Sequence, residues 1–528
     1  MIKEYLCWES PQVIKPTNPL LPWMNLCLII LVTISSVIIG FALIIADSSI
    51  QGALIIGGEK NLWFSILFFL LIATFVPIAN WCADRFGHKL LFFVGSALFL
   101  FSIFFSAFTT DYGVMMIFRC LSAIGAGAIF PTSLTLVDLM FPPRQKTLAI
   151  ALYVAGSFGV GGAIGIFLGG YGAEILTWPS IFLISASPAP IILIGTWLFF
   201  QESALQREKK YDFLGTLLYL VFIGSLVTGL ANVKEPWTTE GVRSTLFITC
   251  AVLFILSFVG FIWRELTTKE PLINLRLFKI RPFILGNLAI FVVGITFFST
   301  TTNLSFIFED ALHYSKYHTA LLQVPFGLFM GGCGAISALL AKKIGPRIPA
   351  LFGLVLLSIS CFTQHGLTIQ SDHGDFLQLQ ILRGMGVGFS LGPLTGLALK
   401  KIAPQDVGQA AVLITLFRQF GAALGSIVID IIRAIRYPFH LLRFGEQMNL
   451  QSPALRRNLE AHEIFLVNHA GEAPGSALAL GELTEYASAQ AHILAVNDAY
   501  WLIGWVASII LVVIAFFMAR AFCKERFH

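Results

Sequence analysis

The sequence predicts an all-α polytopic membrane protein of fourteen spans, built as two six-helix halves with two inserted helices between them. Composition is the first reason. Of 528 residues, 57% are apolar and only 12% are charged, with a mean hydropathy of +0.82; soluble domains carry roughly 25% charged residues. The second is that apolar runs recur along the whole chain at about 20 residues, the length that crosses roughly 30 Å of hydrocarbon at about 1.5 Å per residue. The third is a basic turn repeated at matching places in two blocks of six runs. Asp84-Arg85-Phe86-Gly87-His88-Lys89 follows the second run, and Lys342-Lys343-Ile344-Gly345-Pro346-Arg347 follows the tenth.

The runs fall at 26–50, 61–81, 89–109, 113–138, 146–170, 179–200, 212–231, 244–264, 283–306, 319–341, 348–368, 376–399, 407–432 and 498–520. They divide the chain into an N-terminal segment (1–25), an N-terminal six-helix half (26–200), the inserted pair with its connectors (201–282), a C-terminal six-helix half (283–520) and a tail (521–528). Two related halves facing each other place a binding site at their interface.

Orientation follows from Lys and Arg in short loops. One alternate set of loops holds seventeen of them, among them Arg85, Lys89, Arg144, Lys146, Lys342 and Lys343. The opposite short loops hold only Lys60, Lys234, Arg243 and Lys316. The first set and both termini are therefore expected in the cytoplasm. Segment 433–497 carries five Arg, but long loops translocate largely regardless of charge. It reads as an external excursion, with helix expected within Ser452–Glu460 and Gly475–His492.

Several function classes drop out. The net charge of +5 sits in short clusters between apolar runs, where it sets orientation and does not point to nucleic acid. Eight scattered Cys form no CxxC and none lies in 433–497, so no disulfide framework is expected. Met1 to Pro22 is polar and proline-broken, and Leu26–Ala46 is too long for a signal h-region. There is no phosphate-cradling Gly-x-x-x-x-Gly-Lys-Ser/Thr and no catalytic set. His313, His318, His365 and His373 approach the outer face at a spacing that fits no standard ligand pattern, so no metal is expected.

Charges inside the spans carry the functional signal. Arg119 lies about six residues into span four, roughly 9 Å deep, and costs a few kcal/mol there even on the lowest insertion scales. It either snorkels to the interface or faces a cavity and pairs with an acid. Asp47, ending the run of span one at similar depth, is the expected partner. A partly buried carboxylate beside an arginine is a group poised to take and release a proton. Arg383 occupies the equivalent depth in span twelve, before Gly384, Gly386 and Gly388, and Arg418 lies in span thirteen. Each of these two cavity candidates either binds an anionic solute or holds helices together. Glu309 and Asp310, closing span nine, either gate or are solvated acids.

In the turn after span two, Gly87 permits tight geometry, Asp84 can cap or bind an arginine, and Arg85 and Lys89 anchor. That turn is a conformational latch or an ordinary basic loop. Span five is crowded with glycine, which lets helices approach closely.

Ala79 to Lys89 resembles the loop signature of the major facilitator superfamily, Gly-x-Leu-Ala-Asp-Arg-x-Gly-Arg-Lys. Asp84, Arg85, Gly87 and Lys89 match it; Asn80 and His88 depart. Ala46-Asp47-Ser48-Ser49-Ile50 resembles the Leu-Asp-x-Thr-Ile signature of its fourteen-helix drug:proton antiporter branch. Arg119 to Gly127 is similar to the fourth-helix motif whose Arg is linked to proton transfer. Gly161, Gly165, Gly169 and Gly170 match Gly-x-x-x-Gly-Pro-x-x-Gly-Gly, with Ile166 where the Pro should be. Trp178-Pro179-Ser180-Ile181-Phe182 resembles Trp-Arg-Trp-Ile-Phe without its Arg and second Trp. Arg418-Gln419-Phe420-Gly421 resembles Arg-Gln-Leu-Gly, and Glu265 to Phe278 resembles the inter-half connector.

The resemblance implies a major facilitator fold and proton-coupled efflux of hydrophobic or amphipathic small molecules across a bacterial inner membrane. It implies alternating access driven by the proton gradient, with no cofactor. Asp47 and Arg119 would carry proton coupling, and Asp84, Arg85, Gly87 and Lys89 would gate. The expected partners are a small-molecule substrate, the lipid bilayer and, through 433–497, a periplasmic adaptor protein. The departures in spans five and six keep two rival readings: a dedicated exporter or importer of one metabolite such as a siderophore, and a receptor or scaffold that translocates nothing.

Overall fold

The computed structural model describes residues 20–202, 211–231, 244–447, 456–457, 460, 464 and 475–526. Among these, fourteen long helices follow the order of the apolar runs, and there is no strand. α1 spans Leu21–Leu54, α2 Gly58–Phe86, α3 His88–Ser106, α4 Tyr112–Met140, α5 Pro143–Glu174, α6 Trp178–Phe199 and α7 Phe213–Ala231. α8 covers Thr245–Thr267, α9 Arg281–Ala311, α10 Lys316–Ile344, α11 Arg347–Gln364, α12 His373–Leu399, α13 Val407–Gln447 and α14 Gly475–Arg526. Twelve of them are long and apolar enough to cross a membrane by composition alone. α12 is diluted by Gln378, Gln380, Arg383 and its glycines.

Helices dominate because hydrocarbon offers no water, so each backbone N–H and C=O must be satisfied within its own segment. Side chains set the ends. Asp111 accepts from Val114 N (3.0 Å) to start α4, and Ser244 from Phe247 N (3.2 Å) to start α8. Ser315 accepts from His318 N (3.3 Å) at α10, and Asp372 with Asp375 closes a capping box at α12. The two basic turns share one device. Gly87 (φ 106°) separates α2 from α3 and Gly345 (φ 83°) separates α10 from α11, both in the left-handed region that glycine enters without strain. These turns mark one end of the bundle, called the basic end below; the other is the far end.

α1–α6 pack as one bundle and α9–α14 as another. The pair α7–α8 sits at their edge. Tyr219 of α7 donates to Ala73 O of α2 (2.9 Å), and Phe222 meets Phe420 of α13 with ring centroids 6.5 Å apart. α8 turns Leu246, Val252, Leu256, Val259 and Trp263 outward, as a lipid-facing helix should.

The halves approach most closely where α5 runs antiparallel to α10. Ala155, Gly159, Ala163 and Gly170 of α5 face Gly334, Gly331, Gly327 and Ala320 of α10, so the two backbones touch. α5 makes a π turn over Ala155–Val160 at this crossing. Gly161, Gly165 and Gly169 use another face. A Cβ there would lie 3.2 Å from Val37 Cβ, 2.9 Å from Ile38 Cα and 2.8 Å from Ala42 O, all on α1. Gly170 therefore serves the contact with the other half, and the three glycines it was grouped with serve α1.

The excursion expected over 433–497 is helix at both ends. α13 continues to Gln447 and α14 begins at Gly475, so helices of 41 and 52 residues span roughly 60 and 80 Å, well past the hydrocarbon. The helix expected within Gly475–His492 is the start of α14; the one within Ser452–Glu460 lies mostly outside the described residues. Polar pairs, invisible to hydropathy, hold the extension together. Asp498 Oδ2 accepts from Arg436 Nε (2.6 Å) and lies 2.8 Å from His440 Nε2. Tyr437 stacks on His492 at 3.8 Å between centroids. Gln490 Oε1 accepts from Ile369 N (2.8 Å) and Glu485 lies 2.8 Å from His313, which docks α14 on the far-end loops.

Gly159→Leu is expected to push α5 from α10 at an overpacking cost of about 1–3 kcal/mol, read as a lower thermal midpoint in detergent. Gly52→Ala, whose added Cβ meets nothing within 4 Å, is expected to leave that midpoint unchanged.

Candidate functional site

Three clusters occupy the seam between the halves or border it. At the far end, Arg119 of α4 is only 4% exposed, its guanidinium over Phe68 (3.7 Å to the ring centroid) and Phe64 (4.9 Å) of α2. Such a desolvated cation–π contact contributes about 2 kcal/mol. Asp47 of α1 is electrostatically coupled to Arg119. The same carboxylate also acts on Lys316 of α10 and on Glu309, which lies in the π turn Ile307–Ala311 that ends α9. Lys316 Nζ donates to Ser49 Oγ of α1 (2.7 Å), and Tyr317 N donates to Glu174 Oε2 of α5 (2.7 Å). Both bonds cross from one half to the other. Sequence reasoning named Asp47, Arg119 and Glu309 here, and missed Phe64, Phe68, Lys316, Ser49 and Glu174. Lys316 had a signal, being one of four basic residues in the sparse loop set.

At the basic end, Gly87 turns the chain so that a carboxylate reaches the start of α3. Lys89 N donates to Glu202 Oε1 (3.1 Å), and a Cβ on Gly87 would collide with that carboxylate. Negative charge at a helix N-terminus is stabilising, so Glu202, just past α6, caps α3 from across the half. Lys89 Nζ donates to Trp197 O (2.9 Å), and Arg85 lies over Trp81 at 5.3 Å. Asp84 accepts from Asn80 Nδ2 (3.4 Å), and Asn80 Oδ1 abuts Gly408 at the start of α13. Asn80, one of the two residues that depart from the loop signature, thus touches the other half. Close by, buried Glu265 accepts from Ile273 N (3.0 Å), and Gln409 Oε1 accepts from Asn274 N (3.0 Å), tying the connector to α13.

The two cavity candidates part company. Arg383 is fully buried inside the C-terminal half, donating to Gln364 Oε1 of α11 (3.2 Å) and lying over Tyr500 of α14 (4.6 Å). Arg418 of α13 instead reaches across the seam to the N-terminal half, over Phe158 of α5 (4.2 Å) and Phe130 of α4 (5.7 Å). A cleft of ≈10 Å³ lies between α5, α10 and α12, lined by Val154, Phe158, Met330, Val387 and Leu391 among others, and shares Phe158 with the Arg418 contact. That is room for about one water. Contacts between the halves lie at both ends of the seam. Among the described residues no group of three or more His, Cys, Asp or Glu is placed to hold a metal.

Two helical halves, glycine-pivoted basic turns at equivalent places and charges gathered at the seam form a pattern that a known family shares. The family model of the Major Facilitator Superfamily matches residues 25–426. The chain belongs to that superfamily. Within it, the chain is 24% identical over 473 residues to the multidrug export protein EmrB of Escherichia coli (strain K12), covering 88% of this chain and 90% of that one. It is 26% identical over 490 residues to the fatty acid resistance protein FarB of Neisseria gonorrhoeae, covering 92% of each. The solved structure of the proton:xylose symporter XylE shares the superfamily fold at a TM-score of 0.56, with 13% identity over 94% of this chain and 95% of that one. The protein is therefore a multi-pass membrane transporter.

Gly87→Ala is expected to strain the turn by about 1–3 kcal/mol and to displace Glu202, slowing transport in reconstituted vesicles. Gly345→Ala, where a Cβ meets nothing within 4 Å, carries only the backbone strain and is expected to be milder in the same assay.

Proposed function

We propose that this chain is a proton-driven exporter of hydrophobic or amphipathic small molecules, seated in a bacterial inner membrane with both termini and the basic end in the cytoplasm. One observation carries the reading: Asp47 lies among the charges of the far-end closure, coupled to Arg119 within its own half and to Lys316 and Glu309 in the other. Charged, it holds Arg119, adds to the pull of Glu309 on Lys316 and helps keep α10 against α1. A proton arriving from outside neutralises it, weakens both attractions and lets the far end open. Release of that proton to the cytoplasm restores the closure. The proton gradient supplies the energy with no cofactor, and no bond of the solute is made or broken, so the chain is not an enzyme.

Relatives named for multidrug export and for fatty acid resistance support efflux and an amphipathic substrate. A scaffold has no use for charges placed at membrane depth, which disfavours the receptor reading. Partners are the solute and the bilayer. The α13–α14 extension is the element a periplasmic adaptor protein would grip, and adaptor binding that survives removal of residues 440–490 rules it out.

In inverted membrane vesicles, Asp47→Asn is expected to lose substrate uptake driven by an acidic lumen while the protein still inserts and folds. Uptake by that variant with its full dependence on the pH gradient overturns the assignment. Lys316→Met is expected to favour the far-end-open state, read as faster thiol labelling of a Ser49→Cys background.

A further inference from the structure

We infer that the seam around Arg418 is the headgroup pocket for an anionic amphipath, a lipophilic carboxylate above all, and that this charge defines the substrate class. The inference rests on the transporter reading given above and adds the sign of the solute to it.

Of the three arginines considered within the bundle, each meets a different fate. Each keeps its Nε without a hydrogen-bond partner, so the difference lies in the rest of the guanidinium: Arg119 is coupled to the carboxylate of Asp47, and Arg383 bonds to Gln364. Arg418 is 4% exposed, its Nε has no hydrogen-bond partner, and the one titratable group that acts on it among the described residues is the Tyr153 phenol. A buried cation without an anion is costly in a low-dielectric interior. Its contacts with Phe158 and Phe130 offset part of that cost, and among the described residues no carboxylate acts on the guanidinium.

The walls suit an alkyl or aryl tail. Phe158 continues into a string of rings drawn from both halves: it packs on Phe297 of α9 (6.0 Å), and Phe297 packs on Phe41 of α1 (5.2 Å) and Phe326 of α10 (6.1 Å). One cation at the head of an apolar string recognises an anionic amphipath by charge at one end and burial at the other. It repels a cationic amphipath of the same length. The pocket is also a switch. Arg418 of one half is seated on the rings of the other, so an anion that takes the guanidinium competes with a contact that holds the two halves together.

The test uses the full chain in phosphatidylcholine nanodiscs without any gradient, and two probes with the same tail, dodecanoate and dodecyltrimethylammonium. Wild type is expected to bind dodecanoate about tenfold or more tightly than the cation. Arg418→Gln is expected to weaken dodecanoate by about tenfold or more, as loss of a charge-assisted bond does, with Arg418→Lys in between. Equal affinity of wild type for the two probes overturns the inference, as does an unchanged dodecanoate affinity in Arg418→Gln. If that variant does not fold, the wild-type comparison decides alone. Adding phosphatidylglycerol separates the sources of the anion: competition with dodecanoate assigns the pocket to a lipid headgroup, its absence to the free carboxylate, and either outcome keeps the anionic site. Arg418-dependent binding without proton-driven transport in proteoliposomes leaves the pocket standing and sinks the export reading. Proton-driven transport with charge-blind binding does the reverse.

Discussion

The rest of the molecule depends on how closely α5 can approach α10. Two helices carrying ordinary side chains keep their axes 8–10 Å apart; here Gly159 opposes Gly331 and Ala163 opposes Gly327, so backbone meets backbone. That contact sets the width of the seam everywhere else. It puts Phe158, one residue before Gly159, where Arg418 of α13 can lie on it. At the far end it leaves Lys316 and Tyr317 within hydrogen-bond distance of Ser49 and Glu174. The contact has little side-chain interlock, and Gly161, Gly165 and Gly169 bind α5 to α1 on another face. α5 is thus firmly part of its own half while resting smoothly on the other, as a surface that must part and re-form requires.

The three arginines show how one residue type is used in three ways inside a bilayer. In hydrocarbon a guanidinium must be paired, hydrogen-bonded or covered by rings. Arg383 has a neutral partner in Gln364 and a ring cover in Tyr500, all within one half, so nothing about it changes when the halves move. Arg119 has ring cover from α2 and an acid on α1, both in its own half, but that acid is shared with Lys316 across the seam. Arg418 has its cover in the opposite half, so opening the seam uncovers it. Only the last two are sensitive to the relative position of the halves, and they sit at different depths.

Much of this was legible in the sequence because it follows from length and periodicity. Fourteen apolar runs became fourteen helices, and Gly87 and Gly345 sit at φ values that the paired basic turns demand. What failed to show lay outside those signals. The α13–α14 extension is held by Arg436, His440 and Asp498 and by Tyr437 on His492, pairs far apart in sequence that hydropathy scores as loop. Glu202 looks like a solvated acid after a span until the fold brings it to the N-terminus of α3. Arg383 and Arg418 read alike as arginines near glycines; only the bundle shows that one faces inward to its half and the other across the seam. Gly170 falls in one motif with Gly161, Gly165 and Gly169, yet helical rotation turns it to a different neighbour.

For a carrier of this kind the closure must be weak enough for one proton to reverse. A gradient of one pH unit is worth about 1.4 kcal/mol per proton, and a two-state equilibrium moves only by the difference a ligand makes between its states. A far end sealed by several fully buried ion pairs would be beyond that reach, since breaking even one costs about 3–5 kcal/mol. The closure seen here is of another kind. Lys316 bonds to a neutral hydroxyl, Tyr317 offers a backbone N–H to Glu174, and the carboxylate of Asp47 acts on Lys316 and Arg119 together. Each bond is worth about 0.5–3 kcal/mol, and of the carboxylates acting on Lys316, namely Glu309, Asp47 and Glu174, Asp47 is the one that also acts on Arg119. In the proposed cycle, protonating Asp47 removes one counter-charge from Lys316 and Arg119 together, so one proton acts on the seam and on the buried arginine in the same step.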